Sequence, residues 1–176
     1  LKLKKPYLTT AMAYIDSLHL VCADTKAKQN NRKGCDKFIA YFDTVKTQLW
    51  ATYYRDGFRQ VGLVEEQMNA VRSETDSTSI AVSREIIRQN TDSCLDNMSL
   101  AIIINPKDSR AFIGIADAYE KQDSLAQSNE WLKKGLDLAV TPEERLPLVQ
   151  HLAVGNGVGG NYCEAAKYFR EWVALT

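Results

Sequence analysis

An all-α chain of stacked helical hairpins is the fold class this sequence predicts, and three observations predict it. Residues 105–139 read as two amphipathic helices of nearly equal length around a tight turn at Asp123-Ser124. Phe112, Ile115, Ala116 and Tyr119 share one face of the first helix, and Leu125, Ser128, Leu132, Gly135 and Leu136 form the facing stripe of the second. The pattern also repeats. Phe112, Ile115, Ala116, Tyr119, Ser128, Leu132 and Gly135 return 37 residues later as Val149, Leu152, Ala153, Asn156, Ala165, Phe169 and Trp172. They stand 34 residues earlier, more faintly, as Thr78, Ala81, Val82, Glu85, Cys94, Met98 and Ala101. Finally, 176 residues with 45% hydrophobic and 25% charged content suffice for one continuous core. A single hairpin of this kind buries little, so it needs such neighbours.

Taken in order, Pro6 stands where a first helical turn tolerates it, and Leu8, Ala11, Ile15, Leu18 and Cys22 keep helical spacing to about Asp24. Residues 25–34 are polar and basic, and are expected as a loop. From Cys35, Phe38, Phe42, Val45, Leu49 and Tyr53 open a stripe that Val61, Val64, Met68 and Val71 extend. Asp56-Gly57 is a turn signal, but a reversal there leaves almost no connecting residues, so one long helix over 35–72 is expected. Residues 73–79 (Ser-Glu-Thr-Asp-Ser-Thr-Ser) mark a subdomain boundary. Beyond it short helices are expected in pairs: 80–89 with 92–104, 109–121 with 124–138, and 146–154 with 162–175. Thr141-Pro142-Glu143-Glu144, Ser124-x-x-Gln127 and Asn161-x-x-Glu164 carry capping-box chemistry. Pro147 lies too deep for a helix begun at Pro142, so a turn at 142–145 and a fresh start or kink at Pro147 are expected.

The recurrence resembles the tetratricopeptide repeat family, whose unit is a 34-residue helix–turn–helix with small residues where its helices cross. Ala111-Phe112, Tyr119-Glu120-Lys121-Gln122 and Asn105-Pro106 carry the resemblance in the middle copy, and the run from Gly160 to Phe169 carries it in the last. The resemblance implies a right-handed helical-repeat α-solenoid over 75–176, in three copies (75–106, degenerate; 107–140; 141–176). Residues 1–74 are expected to form an N-terminal helical hairpin that packs on the repeats and buries Trp50, Tyr53, Tyr54 and Phe58; the alternative is that these aromatics form a partner-binding face. In the family the first helices of successive repeats line a concave groove that holds a peptide or a partner helix. Carried over, the groove positions are Ser79, Ile80 and Ser83, then Arg110, Ile113, Gly114 and Asp117, then Gln150, His151 and Val154. One subgroup clamps a terminal carboxylate with lysine, asparagine and arginine. Here those positions hold Ser79, Ser83, Gly114, Pro147 and His151, so no such clamp is expected.

The function this implies is non-catalytic: a scaffold for protein or peptide. The alternatives are a small-ligand or glycan module of an exported or periplasmic assembly, and a structural fragment of a longer array that self-associates through its last repeat. Lys+Arg and Asp+Glu are both 22, so no global field attracts nucleic acid or an anionic membrane. Residues 1–37 are nevertheless basic, with Lys2, Lys4, Lys5, Lys26, Lys28, Arg32, Lys33 and Lys37 against Asp16, Asp24 and Asp36. No apolar run is long enough to span a bilayer. The chain begins at Leu1 rather than Met, which reads as a processed or shortened chain whose export signal, if it had one, lies outside it.

Motif chemistry is sparse. Gly155-Asn156-Gly157-Val158-Gly159-Gly160 matches G-x-G-x-x-G, but it follows an apolar helix rather than a strand and is expected as the turn between two repeat helices. His19 and His151 stand in no metal-ligand spacing, and neither a nucleophile with its base nor a cofactor motif can be assembled. Cys94 and Cys163 lie two repeats apart. Cys22 and Cys35 stand at facing ends of two helices, where a disulfide could form, contribute about 3 kcal/mol and imply an oxidising compartment. The rival reading of Cys35, beside Arg32, Lys33 and Lys37, is a thiol of lowered pKa.

Overall fold

Seven helices, and no strand, make up the described residues of the computed structural model, which are 5–176, with 25–32 described by their helical backbone alone. They are α1 (Lys5–Ala23), α2 (Thr25–Ser73), α3 (Ser77–Ile104), α4 (Ser109–Glu120), α5 (Leu125–Leu138), α6 (Pro142–Val158) and α7 (Tyr162–Leu175). Each packs on its neighbour in sequence, α1 also touches α3, and contacts from α2 to α4 and from α4 to α6 close the stack. The chain is an all-α helical-repeat solenoid behind a long N-terminal hairpin. The side chains of Lys2, Lys4, Lys26, Lys28 and Arg32, part of the basic N-terminal cluster, lie outside the described residues.

Several boundaries differ from the sequence reading, each for a physical reason. Residues 25–34 are helix, not loop: lysine, alanine, glutamine and arginine there are good helix formers, and the turn shrinks to Asp24, whose N–H bonds the carbonyls of Leu20 and Val21 at 3.2 Å. α2 runs unbroken through Asp56-Gly57, as expected. α3 is one helix of 28 residues rather than a pair broken near residue 90. Asn90-Thr91 does not interrupt it, because the Thr91 hydroxyl folds back to the Ile87 carbonyl at 2.9 Å and accepts the Gln122 side-chain N–H at 2.8 Å. Asp76 caps its start, accepting from the Ser79 N–H at 2.7 Å, so only residues 74–76 remain outside helix.

α6 likewise continues through Pro147 and on to Val158. Its start is held by the capping box: Thr141 Oγ1 accepts the Glu144 N–H at 3.3 Å, and the Glu144 carboxylate accepts from Val140 and Thr141 at 2.8 and 3.1 Å. A start so held tolerates the one ladder bond that Pro147 removes. The Arg145 guanidinium then donates to the Leu136 and Ala139 carbonyls at 3.4 and 3.3 Å and to Glu171 at 2.6 Å, joining the end of α5 to α7. Gly155 and Gly157 therefore lie inside a helix, and the reversal falls on Gly159-Gly160, where Gly160 takes φ +77°. Neither Ser124 nor Asn161 makes the expected side-chain cap.

Two core clusters share α4. Ala111, Ile115 and Ala118 face one that includes Leu8, Met12, Ile15, Trp50, Tyr53, Met98 and Ile104 from α1 to α3. Phe112 and Ala116 face the other, with Leu132, Leu148 and Leu152. Met98 of α3, fully buried, lies between two glycines: a Cβ on Gly57 of α2 would stand 2.9 Å from its Cγ, and one on Gly114 of α4 would stand 2.4 Å from its Cε. A Cβ at either position would force the Met98 side chain to shift, so the two glycines give it the room in which three helices meet. Cys22 and Cys35 are joined by a disulfide, their Cα atoms 5.5 Å apart, while Cys94 is buried and Cys163 exposed.

Met98→Ala is expected to cost about 2–5 kcal/mol, the range for truncating a fully buried long side chain, read from urea unfolding. Thiol titration of the denatured chain is expected to find Cys94 and Cys163 alone without reductant and all four cysteines with it. Four thiols without reductant would mean that Cys22 and Cys35 are unbridged.

Candidate functional site

α6 sets out the candidate site by its own periodicity. Leu148, Val149, Leu152, Ala153 and Asn156 point into the stack, which turns Gln150, His151, Val154 and Val158 outward. These four, with Gly155, border a cavity of about 450 Å³ whose other walls are Glu120 at the end of α4, Leu125 at the start of α5 and Trp172 of α7. Leu125, Val154, Val158 and Trp172 make its apolar lining; Glu120, Gln150 and His151 make its polar part.

Polar bonds beneath the floor hold these helices in register. Ser128 Oγ donates to Glu120 Oε1 at 2.8 Å. Asn156 and Asn129 exchange side-chain amide bonds at 3.3 and 3.4 Å, and Asn156 also donates to the Leu152 carbonyl at 2.7 Å. The Ser128–Glu120 and Asn129–Asn156 bonds each tie a polar group of one helix to the next, satisfying it and fixing their relative position.

Asp117 and His151 meet across α4 and α6, with Nε2 3.8 Å from Oδ1. His151 Nδ1 lies 3.0 Å from the Pro147 carbonyl; a carbonyl only accepts, so Nδ1 carries a proton in this contact. Burial raises the Asp117 carboxyl above its ordinary value and Glu120 pushes the same way, while His151 and Lys121 pull it down. Cys94 is no nucleophile: burial, and secondarily the charge of Asp117, pushes its thiol up to about 12, which leaves essentially no thiolate at neutral pH. No serine, threonine or cysteine lines the cavity, and no group of three potential metal ligands exists among the described residues.

The ten positions carried over from the resemblance do not converge on one surface. Gln150, His151 and Val154 line the cavity, and Asp117 stands behind His151. Gly114 is buried under Met98 and offers nothing to a ligand. Ile113 is half-buried against the second core cluster. Arg110 faces the other way: it grips Asp108 through two bonds of 2.9 and 2.7 Å and lies over the Trp50 and Tyr54 rings at 4.3 and 5.7 Å. There it borders a second cavity of about 380 Å³ with Asp43, Lys46, Thr47 and Trp50 of α2. Ile80 and Ser83 are half-buried on the first half of α3, and neither lines these cavities. The sequence reading passed over Glu120, Leu125, Val158 and Trp172. Glu120 and Leu125 flank the Asp123-Ser124 reversal, and that position was the available signal. Val158 was hidden in a run of glycines taken for a turn.

Compared with known proteins, the chain matches no family model and no curated protein. It is similar to a solved structure named MamA RS-1 ArsTM double mutant, at 17% identity and a TM-score of 0.40, with 93% of each chain covered. No helix among the described residues is long and apolar enough to cross a membrane.

The stability that Asp117 contributes is full below its ordinary value of 3.8 and is lost as pH rises through its raised folded value. Asp117→Asn is therefore expected to stabilise the fold relative to the parent chain near pH 7.5, with the gain shrinking as pH falls toward 3.8. Urea unfolding across that range measures it; a gain independent of pH would assign the effect to something other than charge burial.

Proposed function

We propose that residues 75–176 act as a tetratricopeptide-like, non-catalytic scaffold, with residues 1–74 as a cap on its first layer, and that it binds a protein segment along the outward face of α6. The observation that carries this reading is the cavity bordered by Leu125, Val154, Val158 and Trp172. Its volume of about 450 Å³ suits one or two large apolar side chains of an extended peptide, and pockets of this size and lining are the usual anchors of such ligands. Glu120, Gln150 and His151 then stand where the peptide backbone and a neighbouring polar residue would run. Glu120 and the half-buried Asp117 behind it favour a ligand with a basic residue next to its apolar anchor.

A glycan reading fares worse on the same residues. Sugar sites combine exposed aromatic faces with several convergent hydrogen-bonding groups; here the one aromatic is half-buried and the polar lining is limited to Glu120 of α4 and Gln150 and His151 of α6. The Cys22–Cys35 bridge fits an oxidising compartment for this scaffold.

Selection of random displayed peptides on the purified chain is expected to enrich sequences with a large apolar residue beside a lysine or arginine. Val154 is half exposed, so Val154→Asp should fold normally by circular dichroism and bind those peptides about tenfold more weakly or worse. Undiminished binding by Val154→Asp and by Trp172→Ala would exclude this cavity.

A further inference from the structure

The second cavity, of about 380 Å³, differs in chemistry from the one beside α6. Its wall sets Lys46 and Arg110 against Asp43 and Asp108, so both signs of charge are present and their sum is zero. Two helix ends of opposite polarity also meet there, because α3 stops at Ile104 and α4 starts behind its cap Asp108. A helix C-terminus favours a cation beside it and an N-terminus an anion. The charged groups are only partly used within the protein. Lys46 Nζ donates one bond, to Asp16 at 3.2 Å, which leaves two of its N–H groups. Arg110 gives Nε and Nη2 to Asp108 at 2.9 and 2.7 Å, while its Nη1 bonds nothing among the described residues. The Asp43 carboxylate meets His19 Nε2 alone, at 3.5 Å. Trp50, in the same wall, is 9% exposed, and its indole N–H finds no acceptor among the described residues. A buried donor in that state is costly and calls for a partner.

We propose that this cavity binds a free α-amino acid with an apolar side chain, a ligand class distinct from the peptide assigned to the α6 cavity. Lys46 and Arg110 Nη1 take the carboxylate, and Asp43 takes the ammonium. Arg110 lies 4.3 Å from the centre of the Trp50 ring, so a carboxylate on its Nη1 is brought beside the indole whose N–H lacks an acceptor. Ala51 and Ile104 remain for the apolar side chain. The balance of the wall selects this class. A phosphate or a polyanion would face Asp43 and Asp108, and like charges set side by side cost several kcal/mol. A zwitterion brings one charge of each sign to a wall that offers both. A sugar is disfavoured because the Trp50 ring is buried and stacked on Tyr54 with centroids 4.9 Å apart, which leaves little ring face open.

The probes are L-leucine, N-acetyl-L-leucine, which lacks the ammonium, L-leucinamide, which lacks the carboxylate, and glucose, each titrated calorimetrically into the intact chain. Saturable binding of one L-leucine is expected, with each blocked form about tenfold weaker or worse. Asp43→Asn and Lys46→Met are each expected to weaken L-leucine about tenfold. The Asp43 side chain is 56% exposed, so its variant should keep the circular dichroism and Tm of the parent; Lys46→Met retains the aliphatic stem and repeats the test from the carboxylate side. Trp50→Phe, which keeps a ring and removes the N–H, should weaken binding severalfold. The proposal is overturned if L-leucine gives no saturable binding, or if Asp43→Asn and Lys46→Met both bind it like the parent. Equal binding of N-acetyl-L-leucine would assign the cavity to simple carboxylates and overturn the amino acid, and saturable binding of glucose in place of L-leucine would assign it to a sugar and do the same.

Discussion

Everything distal to the N-terminal hairpin hangs on one close approach, the meeting of α2, α3 and α4 around Met98. Its side chain fills the space that glycines at 57 and 114 leave open, and a Cβ at either position would press into it. The Cys94 thiol, one turn from Met98, donates weakly to the Gly114 carbonyl at 3.8 Å, so α4 is drawn against α3 by backbone as well as by packing. Interiors are close-packed and transmit small displacements. A helix held this tightly on one side therefore sets where its other side lies. That other side carries Phe112 and Ala116, which found the second core cluster with Leu132, Leu148 and Leu152. The stack is a chain of such dependencies, each helix placed by the preceding one.

The polar contacts refine this geometry and bring it to the candidate site. Gln122 reaches from the end of α4 to Thr91 on α3, Ser128 on α5 reaches Glu120, and Asn129 meets Asn156 across α5 and α6. Each is a buried or half-buried group satisfied by a neighbouring layer, so losing register would strand it without a partner. Together they hold Glu120, Leu125 and the outward residues of α6 around one cavity. A binding surface assembled in this way draws its shape from the stack and its chemistry from the few side chains left outward.

How much of this was legible in the sequence can be judged from particular elements. The spacing of Leu8, Ile15 and Cys22 named the buried face of α1, and that of Phe112, Ile115 and Ala116 named buried residues of α4, read as one face where the structure divides them between two core clusters. Equivalent positions recurred at 34 and 37 residues, and their burial follows the recurrence through Cys94, Ser128 and Ala165. Ends of helices were less legible. Residues 25–34, the Asn90-Thr91 step, Pro147 and the glycines at 155 and 157 all carry local signals for a break, and none of them breaks a helix. A local preference of about 1 kcal/mol for a glycine is outweighed when the residues beside it, here Leu152, Ala153 and Asn156 of α6, are buried in the stack.

By itself the sequence determined periodicity, and with it the class of structure: apolar and small residues returning every three or four positions define which side of each helix faces inward, a property of single helices. Tertiary structure alone decided which faces remain open. Arg110 and Gly114 carried the same outward assignment as Val154, yet one is drawn over Trp50, one is sealed by Met98, and only Val154 is left at the cavity. The same holds for Met98, Leu132 and Phe169, alike in register and unlike in burial. Exposure depends on what lies across the gap, and those residues are far away in sequence, so no local pattern can specify it.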